Sequence, residues 1–320
     1  MSDERDPSAS DTLTAGEARR HRTLQLLSGS PGHRSLADAA AIAANPGVVA
    51  EIFGATDVGL KRENNQEHFV VAALERALLV EGSSLPAQAG TRLTDTPQGR
   101  LLIVADGIGG HGGGELASAV ATDAMAAYAF EAMPWATGAD AGSLEELSKG
   151  LRDAVANAQA RVRRVARRKN APENLGTTLT MAYVVWPELH LVHVGDSRAY
   201  LLRDGKLYRL THDHTMAQRL VDGEAMTPEE AARSPFGHML VNAVGGGTDS
   251  LDVELHRLVL EAGDHLMLCT DGLYDMVDEE QIAAHLQRTD RDVQTVVFGL
   301  IRAANKAGGR DNVTVVIARF

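Results

Sequence analysis

Between residues 177 and 211 the chain carries three strand-like segments in succession, with no helical segment between them. Parallel strands need a crossover of a dozen or more residues, whereas antiparallel strands can be joined by two. The short gaps therefore favour antiparallel sheets, and Asp204-Gly205 predicts a tight hairpin turn. A doubly wound parallel fold is not expected, because it needs regular alternation of strands and helices. The three segments are TTLTMAYVVW (177–186), LHLVHVGD (189–196) and RAYLLRDGKLYRLT (198–211).

The remaining segments follow the order strands, two helices, many strands, two helices, strand, which indicates an α+β fold. Residues 75–98 are expected to form a loop that is longer than most connections. Further strands are predicted at 69–74, 101–106, 252–260, 264–271 and 312–320. Helices are predicted at 36–46, 115–133, 144–169, 227–233, 278–287 and 292–308.

Composition excludes several classes of protein. The net charge of −12 argues against a general nucleic-acid binder, which usually shows a basic footprint. The single cysteine, Cys269, permits no internal disulfide and suits a reducing compartment. No apolar run reaches the ~18 residues of a membrane span, and the first residues lack a secretory signal. A cytoplasmic protein without a membrane partner is expected, with residues 1–45 as a partly disordered extension.

Four short stretches place an aspartate at the end of an apolar, strand-like segment. Taken singly, each aspartate has an ordinary interpretation as a turn residue or a helix N-cap. If the four strand ends converge, their like charges would repel strongly unless cations lie between them. Oxygen ligands without a Cys–His cluster favour Mg²⁺ or Mn²⁺. The stretches are VADG (Asp106), HVGDS (Asp196), LCTDG (Asp271) and GGRDN (Asp311).

The glycine-rich stretch VADGIGGHGGGELAS (104–118) follows a predicted strand, as phosphate-binding loops do. It lacks the Lys-Ser/Thr pair of a P-loop and the Gly-x-Gly-x-x-Gly spacing of a dinucleotide-binding turn. Nucleotide binding is therefore not expected here. The glycine after Asp106 would instead leave a backbone carbonyl free to approach a metal ion.

With these residues the chain resembles the metal-dependent Ser/Thr protein phosphatases (PPM family, type 2C), in their bacterial branch. The resemblance runs from about Ala55 to the last residue and rests on six segments in the family's order. They are TDVGLKRENNQEHF (56–69), DGIGGHGGGELAS (106–118), LGTTL (175–179), HVGDSRAYL (193–201), LCTDGLYDMV (268–277) and GGRDNVTVV (308–316).

The resemblance implies a four-layer α/β/β/α sandwich, in which helices flank two stacked antiparallel sheets. A catalytic domain would span 46–320, with a flap over its cleft at about 212–245. Asp106 would bridge two metal ions, Gly107 would supply a backbone oxygen, and other aspartates would complete the set. These are Asp271 and Asp311 at the first ion, and Asp196, shared with Asp271, at a further, weaker ion. Arg62 is similar to the arginine that holds the substrate phosphate.

The activity that the resemblance implies is hydrolysis of phosphoserine and phosphothreonine on proteins, opposing a bacterial Ser/Thr kinase. A water that bridges two Mn²⁺ or Mg²⁺ ions would attack phosphorus directly, without a phosphoenzyme. Cys269 is accordingly interpreted as a small core residue rather than a nucleophile. With no transmembrane segment or second domain after Phe320, a free-standing enzyme is expected rather than a receptor-linked one. A monomer is expected as well. The alternative is a catalytically weak or silent member that binds phosphoproteins as a regulator.

The chain departs from the family pattern at Asn65-Gln66-Glu67, where Gln66 and Glu67 replace the usual Glu and Asp. Two interpretations stay open for Glu67. It reaches the second metal ion through water, or that ion binds more weakly. Asn242, in the predicted flap, stands where family members often carry arginine, which blurs any inference about specificity.

Several further residues have two interpretations each. His111 is a general acid or a residue that shapes the glycine loop. His212 and His214 resemble a metal pair, but the family pattern places them at the start of the flap. The basic run RVRRVARRK (161–169) binds an acidic partner or is a solvated helix face that complements the helix dipole. Asp275 is a carboxylate that supports the metal ligands or a turn residue.

Overall fold

The computed structural model describes most of the chain from residue 51 onward. The predicted N-terminal extension (1–45), the helix predicted within it and His111 lie outside the described residues. The described ranges are 51–74, 77–79, 92–94, 99–109, 113–131, 144–171, 175–231, 233–247 and 250–320.

Thirteen strands and seven helices are formed by the described residues. The strands are β1 (Glu51–Asp57), β2 (Glu67–Leu74), β3 (Ala77–Leu79), β4 (Arg92–Thr94), β5 (Gly99–Ile108), β6 (Gly176–Thr177), β7 (Leu179–Val185), β8 (Glu188–Val194), β9 (Arg198–Arg203), β10 (Lys206–Arg209), β11 (Glu254–Val259), β12 (His265–Cys269) and β13 (Val313–Arg319). The helices are α1 (Gly113–Glu131), α2 (Leu144–Arg168), α3 (Met216–Asp222), α4 (Pro228–Ala231), α5 (Asp271–Tyr274), α6 (Glu279–Leu286) and α7 (Val293–Lys306). Within the described part of the chain, no helix has both the length and the apolar character needed to cross a bilayer.

The strands form two large antiparallel sheets, as predicted. The first sheet has the order β1-β13-β12-β9-β10, and the second has the order β11-β8-β7-β5-β2 with β6 paired to the end of β5. Strands β8 and β9, although consecutive in the chain, belong to different sheets. The predicted hairpin joins β9 to β10, and both Asp204 and Gly205 have positive φ, which the tight turn requires.

Side chains alternate between the two faces of each central strand, and this alternation produces the four layers. On β5, Leu101 and Ile103 pack against α1 and α2, whereas Leu102 and Val104 face the other sheet. Strand β12 follows the same rule, with Met267 on the side of α6 and α7 and with Leu266 and Leu268 toward the second sheet. Successive side chains of a strand point to opposite faces, so each central strand contributes to two cores. The four-layer α/β/β/α sandwich is therefore confirmed.

Three expectations from the sequence were wrong. The 75–98 segment is not only a loop, because β3 and β4 form a small two-stranded sheet within it. Asp106 lies inside β5 rather than at its end, since the strand continues to Ile108 and pairs there with β6. Asp311 precedes β13 instead of following a strand. In β5, an aspartate and glycines follow the apolar residues. A strand prediction based on apolar residues therefore ends too early.

Packing between the two sheets should dominate stability. Leu268 is fully buried in that layer, so Leu268→Ala should lower the free energy of unfolding by about 2–5 kcal/mol. Val259→Ala is the matched control, because the side chain at the edge of the second sheet is half exposed and should change it by about 0.5 kcal/mol or less. Urea denaturation measures both. Equal losses in the two variants would contradict this assignment of the core.

Candidate metal centre

Three carboxylates from both sheets converge at one end of the sandwich. Glu67 opens β2 and lies opposite Asp106 in the register of β2 and β5. Asp271 follows β12 of the other sheet and is the first residue of α5. One carboxylate oxygen from each of the three lies within 4.8 Å of the others. The sequence predicted Asp106 and Asp271 as close neighbours, and the structure brings Glu67 into the same group.

The backbone of Asp106 is held on both sides. Its N–H donates to Thr178 Oγ1 at 2.9 Å. Its carbonyl accepts from the N–H of Thr178 and from Thr177 Oγ1, each at 2.8 Å. Both threonines lie at the start of the β6–β7 region, which the segment LGTTL covers. These bonds fix the main chain of Asp106, which limits the positions that its carboxylate can take.

Gly107 allows β5 to approach the start of α1. A Cβ added at Gly107 would lie 2.2 Å from the carbonyl oxygen of Gly114, a distance that side chains do not tolerate. The N–H of Gly107 donates to the carbonyl of Gln66 at 3.2 Å, which ties β5 to the opening segment as well. The glycines here serve close approach of backbones. A metal-binding role for the carbonyl of Gly107 stays a prediction.

Glu67 is only 4% exposed and is bonded by a residue that sequence reasoning missed. The hydroxyl of Thr314, on β13, donates to Glu67 Oε2. Burial raises the pKa of Glu67 to about 8, and the negative charges of Asp271 and Asp311 add to this, against the lowering effect of the Thr314 bond. The extra methylene of Glu67 thus reaches a partner 247 positions away in the chain.

The electrostatics of the group call for positive charge. Burial raises the pKa of Asp106 well above its usual range, and the nearby Asp271 and Glu67 raise it further. Asp271 Oδ1 is buried and has no hydrogen-bond partner within the described part of the chain. Buried polar atoms are normally paired, so an orphaned carboxylate oxygen in an acidic cluster marks a place for a cation. An all-oxygen donor set fits Mg²⁺ or Mn²⁺.

A second group contains Asp196, Asp271 and His238, which also offer ligand atoms within 4.8 Å of one another. His238 lies in the predicted flap and is 61% exposed. Its Nδ1 is 3.6 Å from Asp271 Oδ2, and its Nε2 is 3.4 Å from Asp275 Oδ2. The interaction with Asp271, followed by the charge of Asp275, raises the pKa of His238 to about 9. The sequence predicted Asp196 and Asp271 together but gave no signal for His238.

Asp311 lies outside both groups and is paired instead with Arg62. Arg62 Nη2 donates to Asp311 Oδ2 at 2.6 Å, and the N–H of Asn312 donates to Asp311 Oδ1 at 2.8 Å. The charge of Asp311 nevertheless raises the pKa of Glu67 and of Asp106, so it lies close to the cluster. Arg62 itself is 54% exposed and lies at the rim of the centre.

Asn312 was not predicted, and it holds the opening segment in place. Its side-chain amide donates to the carbonyls of Val58 and Asn64, both at 3.0 Å. Its Oδ1 accepts from the N–H of Gln66 at 2.9 Å. Three bonds from one side chain fix the loop that carries Arg62 and leads into Glu67. The Asp-Asn dipeptide in GGRDN was a visible signal for such a role, since Asn often bonds backbone groups.

His214 fixes the peptide that precedes Asp196. Its own N–H donates to the carbonyl of Gly195 at 2.7 Å, and its Nδ1 accepts from the N–H of Gly195 at 3.1 Å. Its Nε2 lies 3.6 Å from Glu254 Oε2, which favours the tautomer with the proton on Nε2. Asn242 also contacts His214 Nδ1, at 2.8 Å, and donates to the carbonyl of Asp252 at 2.6 Å. The start and the end of the predicted flap are therefore in contact at the imidazole of His214.

The two histidines of THDHT do not form a metal pair. His212 Nε2 is 2.7 Å from Asp222 Oδ2, away from His214. His214 does lie within 4.8 Å of Glu254 and His193. Both ring nitrogens of His193 are already bonded, Nδ1 to Thr180 Oγ1 at 2.9 Å and Nε2 to the carbonyl of Gly195 at 3.0 Å. Burial also lowers the pKa of His193 to about 4, which agrees with a hydrogen-bonding role for this imidazole.

The structure also locates the lesser candidates. Cys269 is fully buried in β12 and burial raises the pKa of its thiol, which suits a core residue. Asp275 is partly buried, and burial together with the charge of Asp271 raises its pKa to about 6. The basic run 161–169 occupies the last turns of α2 and the residue that follows the helix, Lys169.

The bond between Gly195 and His214 yields a test by hydrogen exchange. In His214→Ala the Gly195 amide loses its acceptor, so it should exchange about fivefold faster or more. His214→Asn should restore much of the protection, because the amide oxygen can occupy the place of Nδ1. His212→Ala is the matched control and should leave this amide unchanged. Equal exchange in all variants, measured by NMR or mass spectrometry, would contradict the assigned role.

Comparison with known proteins adds independent findings. The sequence matches the family described as protein phosphatase 2C over residues 81–301. The serine/threonine protein phosphatase PstP of Mycobacterium tuberculosis is 40% identical over 219 residues, which cover 68% of this chain and 40% of that protein. The protein phosphatase PhpP of Streptococcus pneumoniae is 29% identical over 269 residues, or 83% of this chain and 96% of the relative.

Solved structures agree with the fold. A crystal structure of the catalytic domain of PstP in complex with two manganese ions is similar, with a TM-score of 0.65 at 34% identity. The similarity covers 84% of this chain and 97% of that domain. The chain thus matches a whole catalytic domain, while its sequence match spans 40% of the length of the M. tuberculosis relative.

Proposed function

The chain belongs to the protein phosphatase 2C family, and from this premise we propose that it is a metal-dependent protein serine/threonine phosphatase. Its substrates would be phosphoserine and phosphothreonine residues of proteins. The observation that carries the proposal is the convergence of Glu67, Asp106 and Asp271 from both sheets, with a buried, unpartnered oxygen on Asp271. Fold alone would not suffice, because one fold can host several activities.

Bound Mn²⁺ or Mg²⁺ would supply the positive charge that activates a water molecule and neutralises the phosphoryl group. Asp106 and Asp271, with the carbonyl of Gly107 and with Asp311, would hold two core ions. Asp196 and Asp271 would hold a third. The two manganese ions of the PstP catalytic domain support a pair of ions in this fold.

Arg62 would bind the substrate phosphate. Its guanidinium lies at the exposed rim of the acidic centre, where a phosphoprotein can reach it. The bond to Asp311 leaves other N–H groups of the fork available, because arginine carries five donors. A planar fork suits two phosphate oxygens at once. Asp311 would thus orient the arginine as well as face the ions.

The biological setting follows from the proposed chemistry. A phosphatase of this kind would reverse the action of a Ser/Thr kinase, and the relatives named as phosphatases come from bacteria. The predicted flap, 212–245, contacts the centre through His238. Substrate choice would depend on this segment, in which Asn242 binds His214 and therefore belongs to the support of the flap.

A catalytically silent member remains the second candidate, favoured only by Gln66 and Glu67. Gln66 turns its side-chain amide toward the carbonyl of Gly109 at 3.0 Å, so it supports the glycine loop. Glu67, in contrast, keeps a carboxylate in the cluster. Because the acidic set is retained, the active enzyme is the stronger candidate.

The first test is metal dependence. Hydrolysis of p-nitrophenyl phosphate and of a phosphothreonine peptide should require Mn²⁺ or Mg²⁺ and should stop with EDTA. Asp106→Asn should lower kcat by about a hundredfold or more, because it removes a charge at the centre. Asp290→Asn, at a residue that is exposed and remote from the centre, should leave both rates unchanged. Activity without metal, or full activity in Asp106→Asn, would refute the mechanism.

The second test decides between the two interpretations of Glu67. Glu67→Asp shortens the side chain and removes its reach to Thr314. If the longer side chain of Glu67 weakens binding of the second ion, Glu67→Asp should bind that ion about tenfold more tightly. If Glu67 acts through water, affinity should fall or stay unchanged. Isothermal titration with Mn²⁺ measures this without catalysis, and Thr314→Val serves as control because it removes the same hydrogen bond while keeping Glu67.

A further inference from the structure

The charges of α2 are distributed unevenly along the helix. Its first part carries both signs, including Glu145, Glu146 and Asp153. From residue 154 to the end of the helix there is no acidic residue, while five arginines follow one another and Lys169 comes directly after. This concentration of positive charge occurs in a chain whose net charge is −12.

Two of these arginines have structural partners. Arg161 Nη2 donates to Asp123 on α1 at 2.5 Å. Arg163 donates from Nε to the carbonyl of Gly245 at 2.9 Å and from Nη2 to that of Gly246 at 3.1 Å. Arg161 and Arg163 are therefore not counted among the cations that are available to a binding partner.

The other cations point outward. Arg164, Arg167 and Arg168 are exposed and lie on the side of α2 opposite the buried Val155 and Val162. No acidic side chain among the described residues lies within ion-pair distance of these three arginines or of Lys169, which is also exposed. We call Arg164, Arg167, Arg168 and Lys169 the α2 basic surface.

Helix stability does not account for the whole surface. Cations in the last turn complement the helix dipole, which gives Arg167 and Arg168 a structural reason. Arg164 lies before that turn, and it stands at i,i+3 and i,i+4 from the other two arginines. Like charges at these spacings weaken a helix. The arrangement is therefore unfavourable for the isolated helix and becomes favourable when an anion binds.

The helix turn that carries the α2 basic surface is linked to the metal centre through its neighbour Arg163. Arg163 grips the carbonyl of Gly245, which follows Val244 at the end of the predicted flap. Val244 pairs with Thr177 through two backbone bonds, at 2.8 and 2.9 Å. Thr177 Oγ1 in turn donates to the carbonyl of Asp106. A short series of direct contacts thus joins the basic end of α2 to the centre.

We propose that the α2 basic surface docks an acidic segment of the phosphoprotein substrate, next to the phosphorylated residue. This inference rests on the proposed function and names the class of substrate. A phosphate held at the centre makes contact with the nearby cations an intramolecular event, so modest charge attraction gains effect. A long nucleic acid fits less well, because it would meet the repulsion of a strongly acidic protein and needs an extended basic footprint.

The experiment compares two phosphothreonine peptides, one with four aspartates beside the phosphorylated residue and one with serines in their place. In Arg164→Gln/Arg168→Gln, kcat/KM for the acidic peptide should fall by about threefold to tenfold, through KM. The serine peptide and p-nitrophenyl phosphate should be hydrolysed at unchanged rates. High salt should abolish the difference, since exposed charges are screened.

The matched control is Arg288→Gln/Arg291→Gln, which removes the same charge at the end of β13 remote from Asp311. It should leave all three substrates unchanged, and thermal melts should show that both double variants fold. Equal effects on the two peptides, or none, would overturn the proposal. Loss of RNA-oligonucleotide binding with no change for the acidic peptide would overturn it as well, in favour of a nucleic-acid site.

Failure of the proposed function would be visible separately. If the wild-type protein hydrolyses none of the substrates, fluorescence anisotropy with the labelled acidic phosphopeptide still tests docking. Tighter binding of the acidic peptide than of the serine peptide, weakened by Arg164→Gln/Arg168→Gln, would support the surface without activity. Equal binding of both peptides would overturn it.

Discussion

The crowding of carboxylates that are shielded from water is the constraint on which the rest of the structure depends. Glu67, Asp106 and Asp271 lie close together. Burial raises the pKa of Glu67 and of Asp106, and the charges of the neighbouring carboxylates raise both further. The group stays together because it belongs to two sheets that a continuous apolar layer holds face to face. The free energy of that layer maintains an acidic site that would otherwise disperse, and a bound cation would relieve the same repulsion.

The sequence allowed the antiparallel sheets, the hairpin at Asp204-Gly205 and the convergence of Asp106 with Asp271 to be predicted. These predictions were possible because the alternation of apolar and polar residues and the turn residues are local signals. Antiparallel pairing also brings segments that are distant in the chain to one edge of the sheet. The contact between Thr314 and Glu67 was out of reach, since no local pattern relates residues 247 positions apart. The site roles assigned by resemblance, including that of Arg62, stay predictions, and His111 lies outside the described residues.

The support around the centre was harder to predict than the carboxylates themselves. His238 reaches Asp271 from a segment without a strong pattern, and its place depends on the path of the whole predicted flap. His214 was visible in THDHT, but its partner is a backbone peptide, which no sequence motif can name. Asn312 is the exception, because an Asn beside an Asp at the start of a strand often bonds neighbouring backbone groups. Side chains that bind backbone thus carry much of the geometry.

The pairing of β1 with β13 has a consequence for the order of assembly. All seven residues of β1 pair with residues of β13. Among the described residues, β13 is the only strand that pairs with β1, although about 250 residues separate the two in the chain. Thr314 on the same strand holds Glu67, and Asp311 just before it holds Arg62. A nascent chain interrupted before this strand would therefore leave one edge of β12 unpaired, and Glu67 would lack its bond to Thr314. In this topology, the support of the candidate site is complete only when β13 has paired with both β1 and β12.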